Sequence, residues 1–457
     1  MSNWTTSKLS DVIEIIGGGT PKRSENKYWN GDIPWLSVAD FNNDFRYVND
    51  SIEHITELGL QKSSTKLLDK DHLIISARGT VGCLAQLSVP MAFNQSCYGL
   101  NGKEGILDNG FLYYFLKNNI SELKQKTHGA VFDTITRDTF EHIQISYPDL
   151  DTQKEISKNL GSFDEKIQLN TQINQTLEQI AQALFKSWFV DFDPVRAKVQ
   201  ALSNGMSLEQ AELAAMQAIS GKTAEELTAL SQAQPDRYAE LAETAKAFPC
   251  EMIEVDGVEV PKGWKRTTLS EICEMQNGYA FKSSDWVQQG IPVIKIGSVK
   301  PMIVEVEGNG FVSEDYSKLK PDFLLTSGDI LVGLTGYVGE VGRIPTGKIA
   351  MLNQRVAKFL PKKIDKNNCF YNYIYCLARQ SQFKEFAEIN AKGSAQANIS
   401  TKELLKFPII KANDKLHILF ENRVKELLER ILWNSQNAET LAKTRDLLLP
   451  KLLNGEI

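Results

Sequence analysis

Arg, Lys, Asn and Gln are the side chains that read base edges, and glycine lets a backbone come close to phosphate. Loops of that composition occur in two sets at corresponding places. The first set is Thr20-Pro21-Lys22-Arg23, Arg78-Gly79-Thr80, Asn94-Gln95 and Lys126-Thr127-His128-Gly129. The second is Lys282-Ser283, Lys295, Thr335-Gly336-Tyr337, Asn353-Gln354-Arg355 and Lys392-Gly393-Ser394. Taken singly, each is equally a solvated turn, and each Asn-Gln a structural pair in a sheet. As a set they have the composition of loops that could contact nucleic acid.

No other chemistry assembles. Gly342-Arg-Ile-Pro-Thr-Gly347-Lys348-Ile349 has the outline of a phosphate loop, but Ile349 stands where a magnesium-binding Ser or Thr is needed. Gly17-Gly18-Gly19 lacks a dinucleotide fingerprint and reads as a turn before Pro21. The histidines at 54, 72, 128, 142 and 417 show no metal-ligand spacing. Acidic residues are plentiful, yet no pair is singled out. The expectation is a chain with no catalytic, cofactor or metal site of its own.

The elements that must position these loops come from a duplication. Thr152 to Phe189 reads as one long helix whose seam is Ile156, Leu160, Phe163, Ile167, Asn170, Asn174, Leu177, Ala181, Leu184 and Trp188. At an offset of 264 the seam returns as Phe420, Val424, Leu427, Ile431, Asn434, Ala438, Leu441, Arg445, Leu448 and Leu452. Collinear matches precede it, with offsets of 257 to 264. Trp4 answers Trp264, Gly79-Thr80-Val81-Gly82 answers Gly336-Tyr337-Val338-Gly339, and Asn94-Gln95 answers Asn353-Gln354. The chain therefore divides into a block at 1–150, a long helix at 151–189, a helical spacer at 190–262, a second block at 263–412 and a second long helix at 413–457. Short β-rich runs such as Leu73–Ser76 and Ile330–Val332, broken by glycine turns, predict α+β blocks with a curled or barrel-like sheet of unassigned strand order.

The net charge of -6 is unevenly spread: the first block carries -4, the spacer -7 and the second block +6. This argues against bulk electrostatic binding of nucleic acid, so any DNA contact must fall to local basic loops, more strongly in the second block. The spacer reads as an acidic docking surface or as a mere linker. With no run of about 18 apolar residues, no apolar leader and no CxxC pair among the six cysteines, a cytoplasmic setting is expected.

This layout resembles the specificity (S) subunit of Type I restriction–modification enzymes along the whole chain. The carriers are Trp4 with Leu9-Ser10-Asp11, the paired Gly-x-Val-Gly turns, the paired Asn-Gln, Leu177-Glu-Gln-Ile-Ala-Gln-Ala-Leu-Phe185-Lys-Ser-Trp188-Phe189, Pro261-Lys-Gly-Trp264 and Leu447-Leu-Leu-Pro-Lys-Leu-Leu453-Asn-Gly455. The resemblance implies two tandem-duplicated α/β target-recognition domains joined by two long helices in an antiparallel coiled coil. It implies a split, asymmetric DNA target and no catalysis by this chain. It also implies two modification subunits that use S-adenosylmethionine, and two restriction subunits that use ATP and Mg. The alternative is a non-catalytic coiled-coil scaffold carrying two protein- or sugar-binding modules. A methyltransferase would need a cofactor-binding glycine strand and an Asn/Asp-Pro-Pro-aromatic loop, which are absent.

Antiparallel pairing would set the two blocks at opposite ends of a helix pair about 57 Å long, with Asn170 facing Asn434. The aromatic cluster of Phe185, Trp188, Phe189 and Phe192, together with Leu448 and Leu452, is more apolar than a two-helix pair needs and is expected at subunit interfaces.

Overall fold

Two helices of 40 residues, Leu150–Phe189 and Asp414–Leu453, run through the computed structural model, which describes residues 4–127, 134–308, 310–393 and 396–457. Each starts on a side chain that takes up a free helical amide. Asp149 accepts from Thr152 N–H at 3.0 Å and Asn413 from Leu416 N–H at 2.9 Å. The caps keep the 264 offset. Phe192, at φ 58°, turns the first helix into the spacer, and Pro450 lies in the last turns of the second.

The chain forms two units, residues 1–170 with 437–457 and residues 171–436, and each long helix contributes to both. Within each unit the helices run antiparallel. In the first unit, Asp164 meets Arg445 while Ile156 and Leu160 share a core with Leu449 and Leu453. In the second, Asn174 meets Asn434 and Phe185 meets Phe420 at 5.9 Å.

The first unit opens with β1 (Thr5–Lys8), β2 (Ile13–Gly17), β3 (Trp29–Leu36), β4 (Tyr47–Val48), β5 (His54–Ile55) and β6 (Leu67–Leu68). It continues with β7 (Leu73–Ser76), β8 (Leu84–Leu87), β9 (Met91–Phe93), β10 (Cys97–Gly102) and β11 (Gln144–Tyr147). Strands β1 and β11 pair as a ribbon, β2-β10-β7-β8-β4 form one sheet and β5-β3-β9-β6 another. Alternation along β7 explains the layering. Leu73 and Ile75 face the core under the helix Asn109–Thr127, whereas Ile74 faces a second core with Leu36 and Phe93.

In the second unit, β12 (Met252–Val255) and β13 (Val258–Pro261) form a hairpin of the spacer. Then come β14 (Lys265–Thr268), β15 (Cys273–Asn277), β16 (Trp286–Val287), β17 (Ile291–Ile294), β18 (Met302–Ile303) and β19 (Phe311–Val312). After them follow β20 (Leu324–Leu325), β21 (Ile330–Gly333), β22 (Val341–Arg343), β23 (Ala350–Leu352), β24 (Val356–Pro361) and β25 (Pro408–Lys411). The first unit's topology returns with one edge strand, β16, added: a β14-β25 ribbon, a β15-β24-β21-β22-β18 sheet and a β16-β19-β17-β23-β20 sheet. Ile330 and Val332 face one core and Leu331 the other. Each block is thus a pair of small mixed sheets rather than one curled sheet. The helical spacer, read as a docking surface or a mere linker, packs into the second unit. Helices Asp193–Ser203, Leu208–Ser220, Ala224–Ala233 and Pro235–Ala247 bury Met216, Ile219, Leu227 and Phe248 in the second unit's core.

Candidate nucleic-acid interface

In the first unit three loops meet at one edge of the sheets. Gly19 N–H donates to the Phe93 carbonyl at 3.0 Å, and Ala77 N–H to Ser96 O at 2.8 Å. A Cβ on Gly18 would collide with the Asn94 carbonyl, so the approach requires glycine. Asn94 Oδ1 accepts from Ser96 N–H at 3.0 Å and shapes its own turn, while exposed Gln95 accepts from the Thr20 hydroxyl. Arg78 and Thr80 project from the neighbouring turn around Gly79, at φ 76°. Lys22 and Arg23 are exposed but lie outside this network. Arg23 holds both oxygens of Glu53 and lies 4.0 Å over Trp29; the pairing raises its pKa and lowers that of Glu53.

The second unit builds the same edge. Tyr279 N–H donates to Leu352 O at 2.8 Å, and Leu334 N–H to Arg355 O at 3.0 Å. Gly278 approaches the Asn353 carbonyl as Gly18 does Asn94, and Asn353 Oδ1 accepts from Arg355 N–H at 3.3 Å. The Lys392 segment is drawn in as well, because Thr335 donates to Asn398 Oδ1 at 2.7 Å and Gly336 N–H to Ala397 O at 3.0 Å. Gln354 and Arg355 are exposed, and Tyr337 is 65% exposed on its turn. Lys282 and Lys295 stand apart: Lys282 N–H is taken by Asp285, and the Lys295 ammonium sits 4.2 Å over Trp286. Asn398 carries no mark in the sequence. His128, Gly129, Ser394 and the side chains of Lys126 and Thr127 lie outside the described residues. The glycine loop that resembled a phosphate cradle ends in a turn where Gly347 N–H is taken by Ser327 and Lys348 pairs with Glu307.

Against known proteins, the family model for the Type I restriction modification DNA specificity domain matches residues 1–179 and 261–411. The HindI specificity subunit of Haemophilus influenzae is 44% identical over 358 residues, 76% of this chain and 77% of its own. The chain belongs to the Type I restriction–modification specificity subunits. The MjaIX specificity subunit of Methanocaldococcus jannaschii is 26% identical and covers 100% of this chain and 94% of its own. An S subunit from M. genitalium shares the fold at TM-score 0.53 and 16% identity, over 99% of this chain and 96% of that one. As a specificity subunit, the chain supplies DNA target selection and is a non-catalytic part of its enzyme. No helix among the described residues is long and apolar enough to cross a membrane.

The specificity subunit's helices differ from their expected seam. Asn434 donates to Asn174 at 2.9 Å, not to Asn170. The buried line includes Asp164, Glu178 and Phe185, leaving Phe163, Leu177 and Leu184 half-buried. The cause is a second neighbour, the aromatic helix of each block. Tyr114 and Arg445 hold Asp164, while Tyr375 at 2.8 Å and Arg379 at 3.2 Å hold Glu178. Phe185, Trp188, Phe189 and Phe192 are not a free surface, because the spacer and Trp264 close over them. Leu448 and Leu452 are half-buried against the first unit's core. Glu421 accepts from Asn372 and Tyr373 N–H at 2.9 and 2.8 Å, capping the helix Tyr371–Ala378; burial pushes its carboxyl up to about 7 against those bonds.

Proposed function

We propose that each three-loop edge reads one half of a split, asymmetric DNA target. The observation that carries this is one backbone frame holding different side chains. Arg78, Thr80 and Ser96 in the first unit stand where Thr335, Tyr337 and Arg355 stand in the second. A shared frame suits a shared approach to the duplex, and different tips suit different bases. Thr20, Arg78, Thr80 and Gln95 are the contacts of one half, and Thr335, Tyr337, Gln354, Arg355 and Lys392 those of the other. Asn94 and Asn353 act by shaping the turns. Lys22, Arg23, Lys282 and Lys295 are phosphate contacts, with Arg23 released from Glu53.

The partners are two modification subunits, which carry S-adenosylmethionine, and two restriction subunits, which carry ATP and Mg. Exposed apolar side chains on the long helices suit the modification subunits: Leu169 and Leu447 in the first unit, and Ile173, Ile180 and Trp433 in the second. Trp433 is 50% exposed with Arg430 stacked 4.5 Å above it, the residue types that dominate interfaces.

Exchanging residues 263–412 for the matching block of a relative tests the reading, with methylated sites mapped genome-wide. One half-site should change and the other stay, since contacts at separated positions add, at about 1–3 kcal/mol per mismatched pair. Both half-sites changing would refute separate readers. Binding to duplex should also weaken steeply with salt.

A further inference from the structure

Each unit buries one guanidinium between its five-stranded sheet and a long helix. Arg46, 6% exposed just before β4, donates from Nε to Gln86 on β8 at 2.9 Å. Its Nη1 reaches the Tyr114 hydroxyl at 3.3 Å and the main-chain carbonyl of Ser157, inside the first long helix, at 3.4 Å. Gly161 lies one turn on in that helix, where glycine is costly. A Cβ there would overlap Arg46 Nη1, and one on Gly110 would lie 2.8 Å from Nη2. The glycines make the guanidinium's seat.

In the second unit Arg343, 1% exposed on β22, lies 4.2 Å over the Tyr375 ring and donates to the Leu428 carbonyl, inside the second long helix, at 3.1 Å. Its strand position is that of Gln86, since β7 pairs Leu73 with Gln86 and β21 pairs Ile330 with Arg343, each residue 257 places on from its counterpart. The two blocks therefore bring a guanidinium to the same level of the sheet from neighbouring strands. In both, the acceptor on the long helix is a backbone carbonyl, a point fixed by helical geometry. Hydrophobic contact alone lets a sheet slide on a helix; a directional bond to one carbonyl does not. A buried cation hydrogen-bonded to neutral groups is a poor source of stability, and register is the better-attested use of such groups.

We infer that Arg46 and Arg343 are positioning residues that set the seat of each recognition block on the helices, and through it the spacing and phase required between half-sites. This rests on the two blocks being half-site readers.

The test uses the full chain assembled with its modification subunits, assayed for methylation of duplexes carrying the native spacing, one base pair more and one fewer. Gly161→Ala should favour the helix itself while evicting the guanidinium. Gly161→Ala, Arg46→Met and Arg343→Met should each cut the preference for native spacing about tenfold and leave base discrimination within each half-site unchanged. Arg46→Met with Gly161→Ala should lose no more than either alone, because both remove one seat. Arg343→Met should do this without lowering the thermal midpoint. Unchanged spacing preference, additive losses, or losses that merely track thermal stability would overturn the positioning role. A wild-type enzyme that methylates no bipartite site would instead overturn the half-site reading beneath it.

Discussion

The two units repeat one topology but wire it differently where the long helices cross. In the first unit the crossing is ionic: Asp164 pairs with Arg445, with Tyr114 and Lys117 beside it. The positions 264 residues along from Asp164 and back from Arg445 are Leu428 and Ala181, both buried in the second unit's apolar core. The second unit places its buried carboxylates elsewhere, Glu178 on Tyr375 and Arg379 and Glu421 on a helix start. The lesson is that duplication preserved backbone geometry, whereas the buried carboxylates were free to move as long as each kept a partner. At the outer turns the contrast reverses. Leu449, Leu452 and Leu453 serve the first unit, and Phe185, Trp188 and Phe189 the second.

That last contrast yields the largest effect. Trp188 packs edge-on against Phe248 at 5.2 Å and near Phe420 at 5.7 Å. Trp188→Ala should cost about 3–5 kcal/mol, releasing protection from hydrogen exchange in the spacer and the β12–β13 hairpin while the first unit keeps its own. Leu452→Ala, at the matching half-buried position, should cost less. Equal losses would mean that the spacer adds nothing to the second unit's core.

Next comes the ionic crossing. Arg445→Ala leaves Asp164 in the interior with only the Tyr114 hydroxyl and the Lys117 ammonium at 3.9 Å, and should cost about 3 kcal/mol. Transplanting the second unit's solution, Asp164→Leu with Arg445→Ala, should recover most of it. Denaturant titration of the three proteins decides this; a double variant as unstable as Arg445→Ala would show that the apolar crossing depends on its own surroundings.

A third test separates Gln153 from His417, which occupy equivalent positions one turn into the long helices. Both are fully buried. Gln153 donates to Ile106 and Pro148 carbonyls at 3.0 and 2.9 Å, whereas neither ring nitrogen of His417 has a hydrogen-bond partner among the described residues. Its ring stacks on Phe189 at 5.3 Å and meets Phe370 and Tyr373 edge-on. Burial, with Lys411 nearby, pushes its pKa from 6.5 down to about 3. The folded state therefore stays neutral while the unfolded chain takes a proton below 6.5, so stability is lost as pH falls from 6.5 towards 3. The loss is about 2 kcal/mol at pH 5. Glu421 acts oppositely: its raised pKa gives stability below 4.5 that is lost as pH rises to about 7. His417→Phe should abolish the acid-side loss relative to wild type. A variant with the same slope between pH 6.5 and 5 would place the sensitivity elsewhere.

The repeat and the long helices were legible in the sequence because a heptad and a fixed offset are local, periodic signals. The loop sets were legible because the offset carried Asn94-Gln95 onto Asn353-Gln354. What escaped depends on distant partners. Asp164 and Glu178 look like solvent-facing charges until Tyr114 and Tyr375 arrive from the aromatic segments. Strand order escaped because β3 with β9 and β4 with β8 are parallel pairs between distant residues. Two clues were available: Gly161 inside a long helix, and Arg343 in the apolar run Val341-Gly342-Arg343-Ile344.

The smallest effect concerns the amide pair, which among the described residues joins the long helices in the second unit only. Asn434 donates to Asn174 at 2.9 Å, and Asn174 donates to Ser435 at 3.0 Å and the Ile431 carbonyl at 3.3 Å. At the 264 offset the first unit offers Asn170 and Ala438, which cannot form such a pair. A buried amide pair gives up apolar contact in return for a fixed register. Asn174→Leu alone should destabilise, because Asn434 is left buried without its acceptor. Asn174→Leu with Asn434→Leu removes both amides and should gain about 1 kcal/mol, seen as a rise of about 2–4 °C in the second unit's thermal midpoint. The same double variant should accept half-site spacings that wild type rejects, because the second unit's helix crossing then lacks the amide pair that pins it. A lower midpoint with an unchanged spacing requirement would show that the pair acts as ordinary packing, and that register is held elsewhere, by the guanidinium seats or the Asp164–Arg445 crossing.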